Sequence, residues 1–136
     1  MEETRRYLIV DDDKANNMLC RIILKKRFDG AEITSYEEPQ AALDYIKEKY
    51  SAATENKTTV LFLDINMPDL TGWEFLDIFK NFDETIRKQF IIYMLSSSVD
   101  YKDKKLAKEN PLVEGYIEKP LTRDKVDKLF SQGLPA

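Results

Sequence analysis

The sequence predicts an α/β protein built on a doubly wound sheet of five parallel strands, with a helix after each strand. Short apolar segments alternate along the chain with amphipathic segments, and strands separated by helices pair in parallel through right-handed crossovers. The segments VLFLDI (60–65) and FIIYML (90–95) are apolar on both faces, which is typical of strands covered on both sides. A length of 136 residues fits one domain.

The first two strand–helix pairs are predicted from the spacing of apolar residues. A short buried strand at residues 7–10 precedes a helix whose helical spacing is carried by Ala15, Met18, Leu19, Ile22 and Ile23. AEITSY (31–36) alternates as a strand does. The next helix, in EEPQAALDYIKEKY (37–50), has Pro39 near its start and places Ala42, Leu43 and Ile46 on one side.

The last three pairs follow in the same order. VLFLDI is the strongest strand, and GWEFLDIFKNF (72–82) is predicted to be helical after Gly72. FIIYML is the fourth strand, followed by YKDKKLAKEN (101–110), a helix with few apolar residues. LVEGYI (112–117) is the fifth strand, and RDKVDKLF (123–130) closes the domain as a helix with Val126, Leu129 and Phe130 aligned.

Composition excludes several classes of function. The net charge is -4 and the pI about 5.0, so no basic field attracts nucleic acid, and we expect no direct binding to it. The absence of histidine excludes His-based acid–base catalysis, Ser-His-Asp and Cys-His nucleophiles, and HExxH zinc sites. The single cysteine, Cys20, cannot form an internal disulfide, and we expect it to be a packing residue.

The chain also lacks the signals of a membrane or secreted protein. No apolar run approaches the length of a membrane span. The N-terminal apolar stretch is too short for a signal peptide and meets acidic residues at once. We therefore expect a cytoplasmic protein without membrane attachment.

Polar residues that can carry chemistry end four of the predicted strands. Asp11, Asp12 and Asp13 follow the first strand, and Asp64 ends the third. Ser96 begins a run of three serines after the fourth strand, and Lys119 precedes Pro120 after the fifth. Because the carboxyl ends of parallel strands share one edge of a sheet, where ligands bind, these groups are expected to meet.

The expected cluster has the chemistry of a phosphoryl-transfer site. Crowded carboxylates raise one another's pKa unless a cation neutralises them, and an oxygen-only site with few carboxylates suits Mg²⁺. Lys119 offers a point charge for a phosphate oxygen, and Ser96 offers a hydroxyl donor. With no histidine on the chain, a carboxylate is the expected phosphoryl acceptor.

Four blocks of the sequence resemble those of the response regulator receiver domain of two-component signalling. They are LIVDDD (8–13), LFLDINMPDLTGWEFL (61–76), IIYMLSSS (91–98) and GYIEKP (115–120). The resemblance covers residues 7–130 and implies a flavodoxin-like, CheY-like (βα)5 fold with strand order 2-1-3-4-5. It also implies one receiver domain over residues 1–136, with a core of about 6–131.

The resemblance assigns a role to individual residues. Asp64 falls where the family accepts phosphate. Asp11 and Asp12 fall on the acidic pair that holds Mg²⁺, Asp12 directly and Asp11 mainly through water. Asn66 would lend its backbone carbonyl to the same ion, which Asp64 also binds.

Further positions of the family pattern match the remaining strand ends. Ser96 takes the place of the hydroxyl that turns toward bound phosphate, and Lys119 is the lysine that pairs with it, with an expected cis bond to Pro120. Tyr116 lies where an aromatic ring turns inward on activation. Asn66 and Ser98 match two positions at which receivers vary their dephosphorylation rate.

The resemblance also implies partners. A histidine kinase would supply the phosphoryl group, and a phosphotransfer protein is a further expected partner, to which the domain could pass the group onward. The surface of the fourth predicted helix, fifth strand and fifth helix would change for a separate output protein. The chain ends at SQGLPA (131–136), soon after the last predicted helix, so the output partner is expected to be another protein. We expect a monomer or weak dimer that assists its own phosphorylation and dephosphorylation but serves mainly as a signalling module.

Several alternatives stay open at this point. Asp13 is either an acidic helix cap or part of the site, Ser97 and Ser98 are candidate caps, and Tyr116 is either a switching ring or a static edge aromatic. The segment NFDETIRKQF (81–90) extends the third helix or forms an extra turn. A haloacid-dehalogenase-type phosphatase, with Asp11 and Asp13 as its D-x-D pair, and a scaffold that is not phosphorylated are the alternative functions.

Overall fold

The computed structural model describes residues 6–51, 58–97 and 100–130. Its strands are Arg6–Val10 (β1), Glu32–Tyr36 (β2), Thr59–Asp64 (β3), Phe90–Ser96 (β4) and Val113–Glu118 (β5). Its helices are Lys14–Arg27 (α1), Pro39–Ser51 (α2), Gly72–Phe79 (α3), Glu84–Arg87 (α4), Tyr101–Glu109 (α5) and Arg123–Phe130 (α6). Ser98 and the segment SQGLPA lie outside the described residues.

The five strands form one sheet in the order β2-β1-β3-β4-β5. All neighbouring pairs are parallel, with Val10 opposite Leu63 and Asp64 opposite Leu95 in the registers that matter for the site. This confirms the predicted fold class and strand order. The order reverses between β1 and β3, so the carboxyl ends of these two strands border the crevice where ligands bind in such sheets.

The core has two layers, one on each face of the sheet. On one face, residues of β1 and β3 pack against α2 and α3, with Ala42, Ile46, Phe75 and Phe79 fully buried. On the other face, Ile9 and Phe62 pack with Cys20 of α1 and with α6. β1 and β3 are therefore buried on both faces, as their continuous apolar sequences indicate.

Helix α1 is where the structure departs from the sequence-based expectation. Its spacing correctly predicts a helix, but Met18, Leu19 and Ile22 are 59%, 39% and 49% exposed. The buried residues of α1 are Asn16, Asn17, Cys20 and Leu24. The reason is local, because the start of α1 packs on the polar end of β1, where Asp11 requires hydrogen-bond donors.

The segment NFDETIRKQF (81–90) forms an extra helical turn and does not extend α3. Phe79 ends α3, and the separate four-residue helix α4 follows, with Ile86 buried against the core. Helix α5 matches its prediction as a weakly apolar helix, since Ala107 is its buried residue. The indole Nε1 of Trp73 in α3 donates a hydrogen bond to Oδ1 of Asp103 at 2.9 Å, which joins α5 to the rest of the domain.

None of the described helices is both long and apolar enough to cross a membrane.

Candidate functional site

The strand ends bring the predicted charged residues together at one edge of the sheet. Asp11 follows β1, Asp64 ends β3, and Lys119 follows β5. Nζ of Lys119 lies 2.7 Å from Oδ2 of Asp11 and 3.1 Å from Oδ1 of Asp64. A single ammonium therefore bridges two carboxylates that are both buried.

Asp12 completes an acidic cluster with these two residues. Carboxylate oxygens of Asp11, Asp12 and Asp64 lie within 4.8 Å of one another. Asp12 is exposed to solvent, whereas the other two side chains are buried. Three carboxylates facing one ammonium leave the cluster with an excess of negative charge.

Burial raises the pKa of the Asp64 carboxyl to about 7, and the negative charge of Asp11 adds to this rise. Attraction to Lys119 acts in the opposite direction without cancelling it. For Lys119, burial acts to lower the pKa, but its hydrogen bond to Asp11 and the charges of Asp11 and Asp64 outweigh burial and raise it. The lysine therefore stays protonated, while Asp64 lacks full compensation for its charge.

The cluster fits a divalent cation of the magnesium type. Its donors are all oxygens, its carboxylates are few, and one of them is open to solvent. Burial first and the charge of Asp11 second raise the pKa of Asp64, and a cation bound beside it would favour its ionised form. Small hard cations such as Mg²⁺ bind to such oxygen donors and keep part of their water shell.

Two asparagines at the start of α1 hold Asp11, although neither is among the site residues predicted from the sequence. Nδ2 of Asn16 donates to Oδ2 of Asp11 at 2.7 Å, and Nδ2 of Asn17 donates to its backbone oxygen at 2.9 Å. Their position in the sequence could have indicated this role, because both asparagines lie in the first turn of the helix that directly follows the strand-end Asp11.

The alternatives for Asp13 are settled by its contacts. Its Oδ1 accepts hydrogen bonds from the backbone N–H groups of Ala15 and Asn16, so it is the N-cap of α1. Cys20 packs beneath the site, where burial and the negative charge of Asp11 raise the pKa of its thiol to about 12. It stays a neutral thiol near pH 7, as a packing residue would.

Ser96 ends β4 and is fully buried. Its backbone oxygen accepts a hydrogen bond from the N–H of Lys119 at 2.7 Å, which ties the end of β4 to the lysine. The peptide bond between Lys119 and Pro120 is cis, as predicted.

Tyr116 is half-buried beside the core layer of α2 and α3, and it pairs with Met94 across the β4–β5 ladder.

The loop after β3 is fixed by close packing of α3. A Cβ atom on Gly72 would lie 2.7 Å from the backbone oxygen of Asp64, which is closer than real contacts allow. Glycine therefore permits α3 to begin against the end of β3, where the N–H of Gly72 donates to the oxygen of Ile65 at 2.8 Å. Asn66 lies in this loop with an exposed side chain, and the contribution of its backbone carbonyl to a metal site stays a prediction.

Comparisons with known proteins agree with this geometry. The family model of the response regulator receiver domain matches residues 7–131. A two-component response regulator from Cytophaga hutchinsonii is 31% identical, with 96% of this chain and 97% of that chain covered and a TM-score of 0.84.

Two further solved structures are similar at lower sequence identity. For a response regulator receiver protein from Dyadobacter fermentans the identity is 26%, the coverage 98% and 100%, and the TM-score 0.83. The chemotaxis protein CheY4 from Vibrio cholerae is 22% identical with a TM-score of 0.75 over 97% and 100% of the two chains, which is a likeness of fold. A search of curated proteins gave no significant match.

Proposed function

The chain belongs to the response regulator receiver domain family, and from this premise we propose that it is a signalling switch phosphorylated on Asp64. In this proposal residues 1–136 form one receiver domain with a core of about 6–131. The phosphoryl group comes from the phosphohistidine of a histidine kinase or a phosphotransfer protein. The observation that carries the proposal is the bridge of Lys119 between buried Asp64 and Asp11.

The proposed chemistry takes place on the Asp64 carboxylate. One of its oxygens attacks the phosphorus of the phosphohistidine in line, the P–N bond breaks, and the electron pair of that bond stays on the imidazole nitrogen. An acyl phosphate forms on Asp64. The 3.1 Å distance from Asp64 to Nζ of Lys119 supports this lysine as the cation that pairs with a phosphoryl oxygen.

Asp11, Asp12 and Asp64, with the backbone carbonyl of Asn66, are the proposed holders of Mg²⁺. When bound, the ion would neutralise negative charge on the phosphoryl oxygens. Exposure of Asp12 supports direct binding by this residue. Asp11 already accepts hydrogen bonds from Asp13, Asn16 and Lys119, which supports a contact through water.

The proposed switch runs from Ser96 to Tyr116. The Ser96 hydroxyl would turn toward the acyl phosphate, and Tyr116, whose strand pairs with that of Ser96, would move inward. The surface of α5, β5 and α6 would then change for a separate output protein. The slight burial of α5 supports a movable surface. Asn66 and Ser98 are proposed to tune the lifetime of the phosphorylated state.

The exposed side of α1 supports a protein as the phosphoryl donor. Met18, Leu19 and Ile22 form an apolar patch on the helix that begins beside Asp11. Apolar residues at helical spacing on an exposed face suit contact with another protein. A protein that presents a phosphohistidine would cover this patch while its phosphoryl group reaches Asp64.

Intact-mass spectrometry after incubation with acetyl phosphate and Mg²⁺ tests the proposal. We expect one added phosphoryl group on the wild type, none on Asp64→Ala, and an unchanged yield on Asp69→Ala, an exposed aspartate in the same loop. Phosphate retained by Asp64→Ala would contradict the assignment of the acceptor. No uptake by the wild type would favour the scaffold that acts without phosphorylation.

A further inference from the structure

Both carboxylate oxygens of Asp11 accept hydrogen bonds from the protein. Its Oδ1 accepts a hydrogen bond from the backbone N–H of Asp13 at 2.9 Å. Its Oδ2 accepts from Nδ2 of Asn16 at 2.7 Å and also faces Nζ of Lys119 at 2.7 Å. A carboxylate oxygen has two lone pairs, so Asn16 and Lys119 together occupy Oδ2.

Asn16 lies in a buried, capped turn of helix from which its side chain donates to Asp11. It lies in the first turn of α1 with 9% of its surface exposed. Its backbone N–H donates to the N-cap side chain of Asp13 at 3.3 Å, which fixes the start of the helix. The amide of Asn16 therefore reaches Asp11 from a preformed turn of helix.

Lys119 is shared between two carboxylates, and for this reason the hydrogen bond from Asn16 to Asp11 becomes important when a phosphoryl group binds. The ammonium contacts both Asp11 and Asp64, so a phosphoryl oxygen arriving at Asp64 competes with Asp11 for it. Once Lys119 turns toward that oxygen, Oδ2 of Asp11 depends on Asn16 for a donor. A buried carboxylate oxygen without a donor is costly, and the side chain would rotate to find one.

We propose that Asn16 is a positioning residue, which holds Asp11 in the metal-binding arrangement that phosphoryl transfer to Asp64 requires. The inference rests on the proposed function. Asn16 acts through Asp11 and contacts neither the phosphoryl group nor the ion. Hydrogen-bond partners behind a metal ligand fix its orientation, and their removal lowers metal affinity by about 10–100-fold.

Isothermal titration of the unphosphorylated protein with Mg²⁺ tests the inference, and Asn17 provides a matched control. Asn17 has the same side chain in the same turn and also binds Asp11, but through the backbone oxygen and not the carboxylate. We expect Asn16→Ala to raise the dissociation constant for Mg²⁺ about tenfold. Asn17→Ala should stay within about twofold of the wild type, although both variants lose a buried hydrogen bond.

Two further measurements separate positioning from general damage. At saturating Mg²⁺, the rate of phosphorylation of Asn16→Ala by acetyl phosphate should return to within about threefold of the wild type, because the defect lies in metal affinity. In an Asp11→Ala background, Asn16→Ala should have no further effect on the dissociation constant. Asn16→Ser, which keeps a donor, serves if Asn16→Ala does not fold, and its affinity should then be intermediate.

Equal losses of Mg²⁺ affinity in Asn16→Ala and Asn17→Ala would overturn the inference. It would also be overturned if Asn16→Ala raised the dissociation constant for Mg²⁺ as much in the Asp11→Ala background as in the wild type. A wild type that binds no Mg²⁺ would also overturn it. A wild type that binds Mg²⁺ in an Asn16-dependent way but takes up no phosphate would support the positioning role and refute the proposed function.

Discussion

The carboxylate of Asp64 is buried beside a second carboxylate, and the contact with Lys119 only partly offsets the cost of ionising it. Burial and the neighbouring Asp11 raise its pKa to about 7, from an ordinary value of 3.8. Between these two values the folded chain binds a proton that the unfolded chain has lost. The contribution of Asp64 to stability is therefore complete below pH 3.8, falls as the pH rises toward 7, and is lost above that value.

Asp64→Asn should remove this dependence in metal-free protein. At pH 8 the variant should be more stable than the wild type by roughly 1–3 kcal/mol, because the amide cannot ionise in the buried site. At pH 5, part-way through the window between 3.8 and 7, the wild type has lost only part of this stability, so the difference between the two proteins should be clearly smaller than at pH 8. Urea unfolding with a chelator present at both pH values measures the difference. Asp69→Asn, on an exposed residue, should behave as the wild type at both, and a variant with the wild-type pH dependence would contradict the assignment.

Lys119 is the opposite case, because its removal leaves two buried carboxylates facing each other. Lys119→Ala should lower the free energy of unfolding at pH 8 by about 2–4 kcal/mol in metal-free protein, as expected when one partner of a buried ion pair is removed. Lys49→Ala breaks an exposed ion pair with Glu32 and should cost less than about 1 kcal/mol. Similar losses in the two variants, measured by urea unfolding, would show that Lys119 does not compensate the cluster.

At the scale of elements, the sequence predicts each strand and its end but not the orientation of every helix. Parallel pairing and the strand-end acids are enough to predict that Asp11, Asp64 and Lys119 meet. The buried side of α1 is not predictable from apolar spacing, because Asn16 and Asn17 face inward to satisfy Asp11 while Met18 and Ile22 face outward. The spacing of apolar residues does not indicate that Asp11 needs hydrogen-bond donors from α1.

The hydrogen bond between Trp73 and Asp103 is also not predictable from the sequence, because 30 positions separate the two residues. Trp73→Phe keeps an aromatic ring and removes the indole N–H. It should destabilise α5 by about 0.5–1.5 kcal/mol, the usual contribution of one hydrogen bond.

Hydrogen exchange measures this change locally. Backbone amides of α5 should exchange faster in Trp73→Phe, while amides of α3 keep their protection. Glu109→Ala, at the exposed end of α5, is the control and should leave both helices unchanged. Uniform loss of protection across the domain would indicate general destabilisation and not a local role in holding α5.

On the scale of the whole molecule, the acidic cluster couples the fold to its proposed ion. Asp11 follows β1 and Asp64 ends β3, two adjacent inner strands of the sheet, so an ion bound between them would join elements that are distant in sequence. A ligand that binds only the folded state stabilises it by about 2.7 kcal/mol at 100 times its dissociation constant.

Removal of magnesium should therefore lower the thermal midpoint of unfolding. Calorimetry of the wild type should show a midpoint that rises with Mg²⁺ concentration, and Asp12→Ala should lose most of this rise because its exposed carboxylate belongs to the cluster. Asp69→Ala, on an exposed aspartate of the loop after β3, should keep both the midpoint and the rise of the wild type. An equal rise in all three proteins would place the ion elsewhere.

The outward apolar side chains of α1 have a consequence for how this protein changes over time. Met18 and Ile22 are more than a third exposed, so replacing them costs the fold little, whereas it alters which surface can rest on the helix. If α1 contacts the phosphoryl donor as proposed, the residues that select this donor are separate from those that stabilise the domain. Substitutions at a few solvent-facing positions could then change the partner and leave the acidic cluster unaltered.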